Sequence, residues 1–109
     1  MLLPIPAEDL ARELNRHPAP SPDGAELTII DPALVGSADN NDLALRLRVN
    51  ATAGGRAESW QLTIPLDPID LDPKVNPSAF VQIVRANIDE WWAVKDNEPA
   101  IAGWGRRLD

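Results

Sequence analysis

Apolar and polar residues alternate in two neighbouring stretches of the chain, 43–49 and 60–66. In both stretches every second residue is apolar, which is typical of strands with one buried and one exposed face. Between the stretches lie Gly54 and Gly55. Both central residues of a tight type I′ turn need positive φ, which glycine adopts at little cost. The pattern therefore predicts a long β-hairpin over 43–66.

The register of this hairpin follows from its turn. A two-residue turn at the glycines sets Val49 opposite Trp60 and Leu47 opposite Leu62, and a four-residue loop would keep the same pairing. All apolar side chains then share one face, whereas a shift of one residue would bring leucines onto the face of Gln61. We therefore expect a sheet with a single covered side.

Apolar residues recur at helical spacing in the first stretch of the chain, at Ala7, Leu10, Ala11 and Leu14. Pro6 suits the first turn of a helix. Pro18 disfavours helical conformation in the residue before it, so the helix should end near Arg16 or His17. This pattern predicts a helix over 7–16.

The second helical pattern lies near the C-terminus, where Asn76 can cap a helix and Pro77 suits its first position. Its apolar stripe comprises Phe80, Val84, Ile88 and Trp91, widened by Val81 and Trp92. The opposite side would hold Gln82, Arg85, Asp89, Ala93 and Asp96. The helix should fade by 96–97, ahead of Pro99.

The remaining segments show weaker patterns. The stretch 26–31 predicts a short strand that Pro32 ends, followed by a loop over 32–42. Two prolines in 67–73 favour an extended, non-helical crossing. Residues 1–5 are a lead-in, and the pattern assigns no form to the tail 100–109.

Together these elements predict a single α+β domain over 1–109, in the order α-β-β-β-α. We expect a three-stranded antiparallel meander with both helices on its apolar face. Trp60 and Trp91 would lie at the centre of the core with the hairpin leucines. Such a meander leaves two strand edges open to pairing with another chain.

No motif identifies a family. The order of elements is similar to that of double-stranded-RNA-binding domains, which contact phosphates and 2′-hydroxyls through basic residues. The second helix opens with Asn76-Pro77-Ser78-Ala79-Phe80, without a lysine cluster. We therefore do not expect that activity here.

Composition narrows the classes of function. The net charge of −7 disfavours nucleic-acid binding through phosphate neutralisation. The absence of cysteine excludes disulfides, thiolate metal sites and cysteine nucleophiles. No apolar run approaches the length of about 18 residues that predicts a membrane span, so a cytoplasmic location is expected. Most basic residues are arginine and alanine is abundant, which suggests a high-GC bacterial source.

Candidate chemistry is sparse. His17 is the sole histidine and lies at the end of the first helix, without a visible partner for catalysis. The carboxylates of Asp67, Asp70 and Asp72 could serve a hard cation, but the spacing of a calcium-binding loop is absent. We expect no metal, no cofactor and no enzymatic activity.

The sequence offers better candidates for binding a partner than for catalysis or metal binding. Arg46 and Arg48 lie on the outer face of the predicted hairpin. Tryptophan and arginine are favoured interface anchors, so the partner-binding candidates are Arg46, Arg48, Trp92, Trp104, Arg106 and Arg107. Trp92 is more simply a core residue, whereas Trp104 suits the core and an interface equally. One hypothesis is that segment 100–109 docks on a partner or on a second copy.

Three classes of function follow. The first is a small acidic cytosolic protein-interaction module: an adaptor, an accessory subunit, a phage component or an inhibitor of the immunity or antitoxin kind. Its partner would be another protein or a second copy, with a homodimer slightly favoured over a monomer. The alternatives are a nucleic-acid-mimicking anti-defence protein and a small enzyme with a carboxylate-based site.

Overall fold

The computed structural model describes residues 3–16, 24–37, 39–72, 74 and 76–108. Within these residues, four strands pair in chain order to form one antiparallel sheet. This α+β architecture confirms the predicted α-β-β-β-α layout and adds short elements at its end. In chain order the elements are α1 (Ala7–Arg16), β1 (Glu26–Val35), β2 (Ala44–Ala53), β3 (Arg56–Pro65), a one-turn 3-10 helix (Pro68–Leu71), α2 (Pro77–Val94), α3 (Pro99–Ala102) and β4 (Gly105–Arg107).

Strands β2 and β3 pair in the predicted register, with Val49 opposite Trp60 and Leu47 opposite Leu62. The turn between the strands is the predicted two-residue turn, since Gly54 has φ 57° and Gly55 has φ 80°. Side chains other than glycine rarely adopt this conformation. The turn and the apolar pattern therefore specify the same hairpin.

Strand β1 is longer than predicted, because Pro32 does not end it. The register with β2 shifts between Ile30 and Ala33, so that Asp31 and Pro32 together face the single residue Leu47. Asp31 takes φ 52°, a left-handed conformation that aspartate tolerates better than most residues. This β-bulge accommodates the proline, which has no N–H to give to a regular ladder, and pairing continues to Val35.

Helix α2 begins as predicted, with the side chain of Asn76 accepting a hydrogen bond from the N–H of Ser78 at 2.8 Å. Arg85, expected on the solvent side, is instead half-buried. Its guanidinium donates to the backbone carbonyls of Glu13 at 2.9 Å and Leu14 at 3.1 Å. Carbonyls in the last turn of a helix have no partner within the helix. Arg85 therefore joins α2 to the end of α1.

Two segments without predicted regular structure are ordered. The crossing after β3 contains the 3-10 helix, which corrects the expectation of an extended chain. The tail forms α3 and β4, and β4 pairs with β3 through Gln61 and Arg106. A Cβ atom at Gly105 would lie 2.5 Å from the ring of Trp91. The missing side chain therefore lets β4 approach the core closely enough to pair with β3.

Both strand edges that the three-stranded layout left open have partial covers. At β1, the Asn15 amide accepts from the N–H of Ile29 at 2.8 Å and donates to its carbonyl at 2.9 Å. The Asn15 side chain thus makes the two hydrogen bonds that the backbone of a neighbouring strand residue would make. At β3, the cover is β4. Such devices limit the pairing of strand edges between molecules.

The core fills the space between the sheet and the helices. Trp91 is fully buried, and its ring meets that of half-buried Trp60 edge to face at 5.3 Å. Among the residues that the structure describes, no helix combines the length and apolarity needed to cross a membrane. The buried hydrophobic set includes Leu10, Leu14, Ile29, Leu45, Leu47, Val49, Leu62, Ile64, Phe80, Val84 and Ile88.

Candidate functional site

The outer face of the sheet brings several predicted partner-binding residues together in two rows. In one row Arg48 lies opposite Gln61, and Gln61 lies opposite Arg106 on β4. In the next row Arg46 lies opposite Thr63. The N–H of Thr63 donates to the Trp104 carbonyl at 2.8 Å. We call this surface the arginine patch: Arg46, Arg48, Gln61, Thr63, Trp104 and Arg106.

Strand geometry sets the spacing of the arginines in the patch. Arg46 and Arg48 are two residues apart on β2, which corresponds to about 7 Å along the strand. Arg48 and Arg106 are two strands apart in one row, which corresponds to about 10 Å across the sheet. The backbone ladder therefore holds the three attachment points at fixed distances, while the side chains stay exposed.

The basic residues of the chain differ in how they are engaged. Arg85 donates to backbone carbonyls, and four ion pairs join Arg12 to Asp9, Arg16 to Glu13, Lys95 to Asp96 and Arg107 to Glu58. By contrast, Arg46, Arg48 and Arg106 form no ion pair or hydrogen bond through their side chains with any other residue that the structure describes. The same holds for Arg56 and Lys74, but those two lie apart from one another, whereas the three arginines share the outer face. Their charged guanidinium groups are therefore open to an external acceptor.

Trp92 and Arg107 lie apart from the arginine patch. Only 8% of Trp92 is exposed, and the ammonium group of Lys95 lies 4.5 Å from its ring centroid. The Arg107 guanidinium lies over the Trp60 ring, 5.6 Å from its centroid, on the core side of the sheet. Of the six predicted partner-binding residues, four thus converge on the outer face, and these two pack around Trp60 and Lys95.

Trp104 contacts the core and also lies at the outer face of the sheet. Its side chain is half-buried and packs against the core cluster. It also lines a shallow depression on the outer face, together with Val35, Arg46 and Arg106. Deleting segment 100–109 would remove β4 as well as Trp104, so single substitutions test this surface more cleanly.

Sequence reasoning missed two contributions to the outer face. The first is the apolar border from β1, where Ile30 lies beside Arg48 and Ala33 beside Arg46. Ala33 was missed because Pro32 was expected to end the strand, and Ile30 was within the predicted strand but its register with β2 was not predicted. The second is the alignment of Arg106 with Arg48, which requires β4. The close approach of Gly105 to Trp91 that permits β4 leaves no periodic signal in the sequence.

The acidic segment after β3 uses two carboxylates for local hydrogen bonds. Asp70 accepts from the N–H of Asp67 at 3.2 Å, and Asp72 accepts from the N–H of Lys74 at 2.8 Å. Within the described ranges, no three acidic, histidine or cysteine residues form a group that could hold a metal ion. His17 lies outside the described residues, so its predicted position at the end of α1 has no structural counterpart here.

A second concave surface lies between α1 and α2. It is lined by Asp9, Arg12, Val81 and Arg85, among others. The Arg12 guanidinium pairs with the Asp9 carboxylate, so these two charges offset each other within α1. Compared with the arginine patch, this groove has fewer uncommitted polar groups.

Asp89 is a titratable group in α2 with a clearly altered environment. Partial burial raises the pKa of its carboxyl, and the charge of Arg85 one turn earlier offsets part of that rise. General acid–base catalysis needs a second positioned group or a substrate proton within hydrogen-bond reach. A single perturbed carboxyl beside an arginine does not supply such a pair.

Comparison with known proteins adds no relative. No family model matches the chain, and neither a curated protein nor a solved structure matches it at a significant level. Functional interpretation therefore rests on the geometry and charge of the outer face.

Proposed function

We propose that this chain is a small protein-interaction module that binds a protein partner through the arginine patch. The observation that supports this proposal is the convergence of Arg46, Arg48 and Arg106 on one face without described side-chain partners. Arginine and tryptophan often supply much of the binding energy of interfaces. An adaptor, accessory subunit, phage component or inhibitory partner protein would use such a surface.

A protein partner fits the overall charge better than a nucleic acid. The chain has a net charge of −7, so phosphate backbones would be repelled by most of its surface. A short acidic region of a protein can approach the patch without facing the remaining carboxylates. The cysteine-free composition is compatible with a reducing compartment, and a cytoplasmic setting is part of this proposal.

A nucleic-acid mimic is the alternative, and it would use other surfaces. Its binding groups would be exposed carboxylates such as Asp67 and Glu90, which lie outside the arginine patch. Its partner would be a basic nucleic-acid-binding protein that DNA displaces. The two proposals therefore predict opposite effects of neutralising the patch arginines.

The test compares two variants of equal net charge. R46Q/R48Q/R106Q neutralises the patch, and R12Q/R16Q/R56Q neutralises three exposed arginines elsewhere. Each variant and the native chain would be cross-linked in lysate of the source organism, and captured proteins would be quantified by mass spectrometry. We expect a discrete partner that the patch variant loses and the control variant retains.

Two outcomes contradict the proposal. Equal capture by both variants would show that the arginine patch is not the binding surface. Capture that survives in the patch variant but disappears when duplex DNA is added would favour the nucleic-acid mimic. Circular dichroism of both variants checks that the fold is intact before the comparison is made.

A further inference from the structure

We infer that the arginine patch recognises an extended acidic segment of a partner protein, with carboxylates at alternate positions. This inference rests on the proposed function and specifies the chemistry of the partner. Its basis is the match between the spacing of arginines on β2 and the repeat of an extended chain.

The match follows from strand geometry. Arg46 and Arg48 project from the same face of β2, about 7 Å apart. In an extended segment, side chains at positions i and i+2 also share one side and repeat at about 7 Å. A segment lying along β2 over the outer face would thus bring two alternate carboxylates to the two arginines in register.

The third arginine widens the site across the sheet. Arg106 lies in the row of Arg48, with Gln61 between them. A guanidinium offers a planar set of N–H donors that fits a carboxylate in a bidentate manner. The Gln61 amide supplies further donors and acceptors between the two charges. A segment lying along β2 would therefore find further donors to one side of it, toward β4.

The surroundings of the patch favour a peptide with apolar residues beside its carboxylates. Val35 and Trp104 line the depression at one end, and Ile30 borders Arg48 from β1. Asp31, in the bulge of β1, is the described carboxylate nearest in register to the β2 arginines. None of the described ion pairs includes it. An incoming carboxylate thus meets no established intramolecular competitor.

Other occupants fit less well. A second copy would have the same net charge of −7, which opposes association. Its alternate carboxylates include Asp70 and Asp72, which accept local backbone hydrogen bonds, and Asp96 and Glu98, of which Asp96 pairs with Lys95. Single-stranded DNA offers regularly spaced phosphates, but its charge is repelled by the rest of the surface. Both occupants are outcomes that the test can detect.

The test uses two synthetic peptides of equal length, composition and charge. In one peptide glutamate alternates with serine, and in the other the glutamates form one block. Binding would be followed by titration at low salt, with NMR signals of the arginine Nε–Hε groups as the site-specific readout. Size-exclusion chromatography with light scattering reports self-association in the same samples.

We expect the alternating peptide to bind about threefold more tightly than the block peptide, a difference equal to about one exposed ion pair. The Nε–Hε signals of Arg46, Arg48 and Arg106 should shift. The variant R46Q/R48Q/R106Q should bind the alternating peptide about thirtyfold more weakly, because three pairs of about threefold each are lost. R12Q/R16Q/R56Q should bind it nearly as tightly as the native chain does.

Three results would overturn the inference: equal affinity for the two peptides, tighter binding of single-stranded DNA of equal charge, or a dimer that excludes the peptide. Failure here is distinguishable from failure of the proposed function. If a cellular partner requires the patch but the alternating peptide does not bind, the proposed function is supported and the inference of an acidic segment is wrong. If the peptide binds but no partner requires the patch, the proposed function is wrong.

Discussion

The two faces of strand β2 differ in the burial and the polarity of their side chains. On one face Leu45, Leu47 and Val49 are at most 2% exposed and pack under the helices. On the other face Arg46 and Arg48 are exposed and have no described side-chain partner. Residues that stabilise the fold and residues that we propose to bind a partner therefore alternate along one strand. Substitutions on the two faces should therefore affect different measurements.

The largest expected effect tests this division directly. Leu47→Ala should lower the free energy of unfolding by about 2–5 kcal/mol, because it removes a buried side chain and leaves a cavity. Arg48→Ala, one residue further along, should change it by less than about 0.5 kcal/mol. Urea denaturation of both variants measures the two values. Similar losses for both would mean that the outer face is also part of the packed structure.

The next effect concerns β4, which completes the arginine patch by packing against the core. In Gly105→Ala the new Cβ would lie 2.5 Å from the Trp91 ring. This overpacking should cost about 1–3 kcal/mol, and it should broaden the NMR signals of Arg106.

Gly103→Ala is the matched control for that variant. Its φ is −64°, and the nearest atom to a new Cβ is the Pro99 carbonyl oxygen at 3.5 Å. Alanine should fit there with a change below about 0.5 kcal/mol. If the Gly105→Ala protein were equally stable and its Arg106 signals were unchanged, the packing of β4 against Trp91 would not be what positions Arg106.

A smaller effect is expected at the edge of β1. Asn15→Ala removes both hydrogen bonds to the Ile29 backbone and should cost about 1 kcal/mol, because water can replace part of the lost bonding. It also frees one backbone position of the edge, so association at high concentration should increase. Thermal unfolding and light scattering measure the two effects. Arg16→Ala, in the same turn of α1, is the control and should leave both unchanged.

The smallest effect concerns Asp89 in the helical layer. Since burial raises the folded-state pKa of this carboxyl, its ionisation destabilises the folded protein. The stability that this carboxyl contributes is fully present below its ordinary pKa of 3.8 and is lost as pH rises through the higher folded-state pKa. Asp89→Asn should therefore raise the melting temperature slightly at neutral pH. The gain should shrink as the pH falls toward that value, and a gain independent of pH would contradict this origin.

The helices and the hairpin could be predicted because their signals are local. Pro6 and Asn76 precede apolar stripes of helical spacing, and Gly54-Gly55 lies between two alternating runs. Strand β1 was only half predicted, because Pro32 normally ends a strand and the bulge that accommodates it depends on pairing with β2. The same limit applies to Arg85, whose contacts with the α1 carbonyls lie more than seventy residues away in sequence.

The amino-acid sequence by itself determined which side of the hairpin is buried, because alternation and turn chemistry act between near neighbours. It also determined the acidic charge and the absence of cysteine chemistry. The assembled fold was needed to place Arg106 in one row with Arg48 and to pack Arg107 on Trp60. Those positions depend on β4 pairing beside Trp91, a long-range contact that neither periodicity nor propensity encodes.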